Sequence, residues 1–164
     1  MTLEIRKTEV RDAERIREIC STGWKQTVQG KLSSTFQQQT VNYWYNAEKV
    51  EQDIKKGSYS YVAEIDGKVA GVIGGGMTGK KRAEVYVFYI DKEYRYHGTG
   101  KALLHKLTEY HQRKGAEEQW ASVQADNDLG LPFYKARGFI QQSVKETKSA
   151  GGEVQVSLRM KRDI

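Results

Sequence analysis

The segment from Glu84 to Ile90 (EVYVFYI) constrains the fold of this 164-residue chain more than any other. Its apolar and aromatic side chains alternate onto both faces, which predicts a strand buried on both sides at the centre of a sheet. A turn follows, Arg95-Tyr96-His97-Gly98-Thr99-Gly100-Lys101, and then a helical pattern with Ala102, Leu103, Leu107 and Tyr110, closed by Gly115. Strand, glycine-rich turn and helix is an arrangement in which free backbone N–H groups and the helix dipole face a phosphate. Glycine suits such a turn because it has no Cβ to hinder close approach and tolerates positive φ.

The rest of the chain wraps elements of both kinds around that unit. Leu3 and Ile5 alternate with charged residues as a first strand, and Asp12 is placed to cap a helix with Ala13, Ile16, Ile19 and Cys20 on one face. From Trp24 to Tyr45 no period emerges; Asn46 then caps a helix to Lys56, ended by Gly57. Tyr59, Tyr61, Ala63 and Ile65 alternate up to Asp66-Gly67, a type I′ turn dipeptide, and Val69 to Ile73 return as the second arm of a hairpin. After the central strand and its helix come a strand at Trp120 to Ala125 and a short helix ending at Gly138. Two more strands follow, at Phe139 to Glu146 and Val154 to Met160. Pro132 predicts a late start for the short helix, since it disfavours a helical Leu131. The order predicts an α/β domain spanning residues 1–164, with a mixed central sheet of about six to seven strands and about four flanking helices.

Composition narrows the function classes. Cys20 is the one cysteine, so no intrachain disulfide forms, and a core position beside Ile16 and Ile19 is expected for it. His97, His105 and His111 share no metal-ligand spacing and are expected at the surface; no metal is expected. The N-terminus has no h-region and no run approaches the ~18 apolar residues of a membrane span, so a cytoplasmic protein without membrane partners is expected. The net charge of +6 is spread along the chain without a block of five like charges. It reads as a solvated surface rather than a nucleic-acid footprint.

Three phosphate-binding patterns compete for the turn. A P-loop needs G-x-x-x-x-G-K-[ST], but Arg95 stands at the first glycine and Ala102 at the Ser/Thr position. A dinucleotide fingerprint needs a third glycine where Leu103 stands, and an acidic residue after the next strand, whereas Glu117 and Glu118 precede it. The remaining pattern, R-x-x-G-x-G between strand and helix, resembles the acyl-CoA pyrophosphate loop of the GNAT superfamily of N-acetyltransferases. A second motif stands at the expected distance. Asn127, Gly130 and Phe133-Tyr134-Lys135-Ala136-Arg137-Gly138-Phe139 resemble that superfamily's N-x-x-[AG]-x-x-F-Y-x-x-x-G-F. The resemblance implies a GNAT-like fold, acetyl-CoA as co-substrate and an amine as acceptor, either a small molecule or a peptide or protein amine. A homodimer is an expectation at the family level. A non-catalytic acyl-CoA-binding sensor on the same fold is the alternative.

Transfer of an acetyl group to an amine needs a base, an oxyanion donor and an acid for the departing thiolate. Glu84 is the base candidate, acting directly or through a water. It is the one acidic residue of the central strand, period 2 puts it on the face of Tyr86, Phe88 and Ile90, and carboxylates among aromatics shift toward useful values. The competing reading is a strand start paired with Lys80, Lys81 or Arg82. The resemblance makes Tyr134 the acid and puts the oxyanion donor among the amides of Phe88, Tyr89 and Ile90, where such strands bulge and splay. It also implies pantetheine contacts at Phe88, Ile90 and Asn127, with a helix cap as the other reading of Asn127. Pyrophosphate contacts are implied from Arg95 through Tyr96, His97, Gly98, Thr99 and Gly100 to Lys101. The aromatics Trp24, Tyr43, Trp44 and Tyr45 offer either an acceptor wall or ordinary packing.

Overall fold

A computed structural model describes residues 2–95, 97–148 and 152–164. The elements are β1 (Leu3–Lys7), α1 (Ala13–Val28), α2 (Ser34–Trp44), α3 (Ala47–Lys56), β2 (Tyr61–Ile65), β3 (Lys68–Met77), β4 (Arg82–Ile90), α4 (Thr99–Arg113), β5 (Glu118–Gln124), α5 (Gly130–Ala136), β6 (Ile140–Lys148) and β7 (Val154–Asp163). The seven strands form one sheet in the order β1-β2-β3-β4-β5-β7-β6. Every neighbouring pair is antiparallel except β4 with β5. The crossover between those two carries α4, as a parallel pair requires.

Two apolar layers sandwich the sheet. On one face Leu103, Leu104 and Leu107 of α4 and Tyr134 of α5 pack with Ile73, Val85, Ala121 and Met160. On the other, Ile16, Ile19 and Cys20 of α1 and Val50 and Ile54 of α3 pack with Val62, Val69 and Val72. Cys20 is buried there, as its spacing predicts, and burial pushes its thiol well above the ordinary range. Asp66 and Gly67 both take positive φ, 51° and 82°, the signature of a type I′ hairpin turn.

Four expectations are corrected. Residues 34–44 form a helix, α2, whose start is capped by the Ser33 hydroxyl accepting from Phe36 N at 3.1 Å. Val41 is its one buried residue, so its apolar stripe is too thin to register as a period. Asp12 does not cap α1 with its side chain. Its carboxylate instead accepts from Nη1 and Nη2 of Arg6, each at 2.8 Å, and from the Glu9 amide, which holds it below the usual carboxylate range against the opposing effect of burial. Pro132 does not delay α5, because it falls in the first turn, where its missing N–H has no helical partner to lose. His111 is fully buried rather than exposed. It follows Leu107 by four residues on the inward face of α4, and its Nδ1 lies 3.1 Å from Gln119 Nε2.

Candidate active site

The site begins with two irregularities in β4. Pairing with β3 passes from Val85 opposite Gly75 to Val87 opposite Gly74, leaving Tyr86 as the extra residue of a β-bulge. Pairing with β5 covers only Arg82 to Val85 against Glu118 to Ala121 and then stops. Beyond that point β4 and β5 diverge and open a cleft of about 680 Å³, walled by β4, the turn before α4, β5 and α5. Asp91 N donates to Ala70 O of β3, so strand alternation turns the amides of Phe88 and Ile90 toward the opposite edge, into the cleft.

The bulge also exchanges the faces of the strand. Val85 belongs to the core under α4, and so do Phe88 and Ile90, whereas Val87 and Tyr89 pack toward α1. Simple alternation placed Glu84 with Phe88 and Ile90, and this is corrected: the extra residue reverses the parity, and Glu84 lies on the opposite face from both. Glu84 pairs with Gly76 on β3 and Trp120 on β5, so it shares their face. Its surroundings are charged rather than aromatic alone. Arg159 Nη2 donates to Glu84 Oε1 at 2.8 Å while Arg159 Nη1 donates to Ser122 Oγ at 2.8 Å, and the partner is thus neither Lys80, Lys81 nor Arg82. The cleft wall starts one residue further on, at Val85.

The turn before α4 presents donors. Gly98 is the N-cap, with φ of 76°, the left-handed region that favours glycine. No side chain caps the helix and no acidic residue stands in its first turn, so the first-turn amides face outward without a competing carboxylate. Gly100 has a different reason: a Cβ there would come within 3.3 Å of the Phe133 ring. Arg95, Gly98, Thr99, Gly100 and Lys101 line the cleft. Arg95 Nη2 donates to Gln26 Oε1 of α1 at 3.0 Å, which anchors the turn. His97 is exposed and off the cleft wall, and Tyr96 lies outside the described residues.

The far wall is aromatic. Tyr134 is 8% exposed, its ring edge-on to Phe88, Phe133 and Phe139, and burial pushes its phenol well above the ordinary value. It therefore enters any reaction protonated. Asn127 lines the cleft and also caps: its Oδ1 accepts from Gly130 N at 2.7 Å, which leaves the side-chain amide N–H groups as its free donors. Tyr89 turns its ring toward α1 so tightly that a Cβ on Gly23 would sit 2.5 Å from it.

Sequence reading missed several wall residues, namely Gly23 and Thr27 of α1, Ser122 and Gln124 of β5, and Arg137. Their one signal was the small-residue pair Gly23 and Thr27, four apart on one helical face. Trp24 and Tyr45 are packed in the core, and Tyr43 and Trp44 are exposed and stacked edge-on; none of the four lines the cleft. The connection between α1 and α2 is tied across this end of the molecule: Lys31 Nζ donates to Asp126 O at 2.8 Å, and Ser33 N to Glu153 Oε2 at 3.0 Å. Among the described residues, no three or more His, Cys, Asp or Glu side chains gather closely enough to hold a metal ion. No helix among them is long and apolar enough to cross a membrane.

A split α/β sheet with an open helix N-terminus at the head of the split defines a fold suited to an anionic ligand, and comparison with known proteins narrows it. The family model described as the acetyltransferase (GNAT) family matches residues 15–139. A spermidine N(1)-acetyltransferase from Thermoplasma acidophilum is 28% identical over 144 residues, covering 85% of this chain and 89% of that protein. The crystal structure of the PaiA N-acetyltransferase from Thermoplasma acidophilum in complex with coenzyme A superposes with a TM-score of 0.83 at 25% identity, over 100% of both chains. A GCN5-related N-acetyltransferase from Rhodopseudomonas palustris shares the fold, with a TM-score of 0.80 at 16% identity, over 100% of this chain and 97% of that one. This chain belongs to the acetyltransferase (GNAT) family.

Proposed function

We infer that the chain is an acetyl-CoA-dependent N-acetyltransferase, one domain over residues 1–164, that acetylates a primary amine in the cytoplasm. The observation that carries this reading is the uncapped start of α4 at the head of the β4–β5 split, which offers donors for a pyrophosphate beside a strand edge with free amides. The relative named as a spermidine acetyltransferase supports an amine as the acceptor.

Acetyl-CoA supplies an acyl thioester, and this chain's groups act on it as follows. The amides of Thr99, Gly100 and Lys101 hold the pyrophosphate, and Asn127 donates to the pantetheine arm. An alkylamine with a pKa near 10.4 arrives protonated, and Glu84 takes that proton, directly or through a water. The amine nitrogen then bonds the acyl carbon as the carbon–sulfur bond breaks, with the amides of Phe88 and Ile90 donating to the oxygen that gains charge. Tyr134 donates its phenol hydrogen to the departing sulfur. As the amide forms, the nitrogen sheds its second proton, which restores the phenol and leaves coenzyme A as the thiol.

A second reading, an acyl-CoA sensor without turnover, draws on the Arg159 contact that engages the candidate base. One experiment separates the two. Calorimetry with acetyl-CoA, followed by a screen of primary amines for thiol release, is expected to give binding and turnover. Binding with no amine turned over would favour the sensor, and no binding at all would overturn both.

A further inference from the structure

The run Gly74-Gly75-Gly76 on β3 contains two kinds of glycine. A Cβ on Gly74 would lie 1.8 Å from Ser58 O and one on Gly75 2.2 Å from Glu84 O, so backbone approach forbids a side chain at either. Gly76 is different. Its φ lies outside the left-handed range, and the nearest atoms a Cβ would meet all belong to the Tyr86 side chain, the hydroxyl oxygen at 3.2 Å and the ring carbons Cε2 and Cζ at 3.4 and 3.7 Å. The missing side chain at Gly76 therefore leaves room for the Tyr86 side chain, whose phenol end reaches β3.

That contact fixes where the ring is. Gly76 pairs directly with Glu84, and cross-strand partners point to the same side, so the Tyr86 ring shares the face of the Glu84 carboxylate. Tyr86 is 52% exposed and lines the cleft at the residue following the last β4–β5 pair. Trp120, on the same face, is already taken. Arg82, Arg159 and Lys161 lie over its ring at 4.5, 5.1 and 5.7 Å. A second cation on that side meets like charge, whereas the Tyr86 ring carries no cation of its own among the described contacts. An aromatic face beside a carboxylate suits an ammonium group and the methylenes attached to it.

We propose that the Tyr86 ring, admitted by the absence of a side chain at Gly76, is the acceptor platform, and that it selects primary alkylamines whose methylene chain runs over β3, away from Trp120. The proposal rests on the N-acetyltransferase reading and names its acceptor class. Methylenes laid on a half-exposed ring gain part of the transfer free energy of full burial, so kcat/KM should rise about twofold with each added methylene.

The test measures kcat/KM for a series from ethylamine to hexylamine with saturating acetyl-CoA. Wild type and Tyr86→Phe, which keeps the ring, are expected to show the rise. Tyr86→Ala and Gly76→Val, the latter displacing the ring with Tyr86 intact, are expected to flatten it while the KM for acetyl-CoA stays within twofold of wild type. Circular dichroism and acetyl-CoA calorimetry establish that each variant is folded. A slope retained in both Tyr86→Ala and Gly76→Val overturns the platform and leaves the enzyme reading standing. No turnover of any amine by wild type overturns the enzyme reading and the platform with it.

Discussion

The two halves of β4 are one strand by hydrogen bonding and two different structures by environment. Above the bulge, Phe88 and Ile90 pack under α4 while Val87 and Tyr89 pack under α1, and the strand is freed from β5. Below it, the strand is paired on both sides and Glu84 joins a charged seam with Arg159, Trp120 and Ser122. One inserted residue separates an apolar groove from a floor of charged and polar side chains. A regular strand would put both sets of side chains on a single face.

The largest expected effect comes from removing the bulge's support. Gly75→Val drives a Cβ into the Glu84 carbonyl, with a cost of about 3 kcal/mol or more, read as a lower midpoint in urea unfolding. An unchanged midpoint would mean the two halves are not set apart by this contact. On the upper half, Tyr134→Phe is expected to slow turnover about a hundredfold while calorimetric affinity for coenzyme A stays within twofold. On the lower half, Arg159→Met removes the bonds to Glu84 and Ser122. Its expected cost is about 1 kcal/mol of stability, with a lower kcat and an unchanged KM for acetyl-CoA, and Arg159→Lys is expected to recover part of the kcat. The remaining test reads a pH dependence rather than a fixed loss and probes the layer behind the lower half, where His111 meets Gln119, the partner of Ala83. Burial lowers His111 to about 4, so the folded protein keeps it neutral while the unfolded chain protonates it near 6.5. Stability from this group is complete above 6.5 and declines as pH falls from there toward 4. His111→Gln should flatten that decline in pH-dependent thermal melts.

How far all this is legible in the sequence depends on the range of the interaction involved. The glycine turn is local: Gly98 needs its conformation and α4 needs its start, so strand, turn and helix could be read from neighbouring residues. The motif around Tyr134 was legible for the same reason, since Phe133, Tyr134 and Phe139 belong to one short helix and its exit. The resemblance implies a bulge around Phe88 to Ile90, but its position at Tyr86 was not legible, because EVYVFYI alternates without a gap and the extra residue shows only against Gly74 and Gly75 on another strand. Arg159 was invisible as a partner of Glu84 because 75 residues separate them. His111 looked like a surface histidine until Gln119 and Thr108 supplied a buried polar setting.

Arg159 has a mechanical consequence. It sits on β7 opposite Ser122 of β5 and reaches past that strand to Glu84 on β4, so a single guanidinium bolts together three neighbouring strands at the foot of the gap. A crack with a bolt at its tip does not lengthen under load. A guest that wedges the mouth of the gap between β4 and β5 apart works against these bonds before it reaches Glu84.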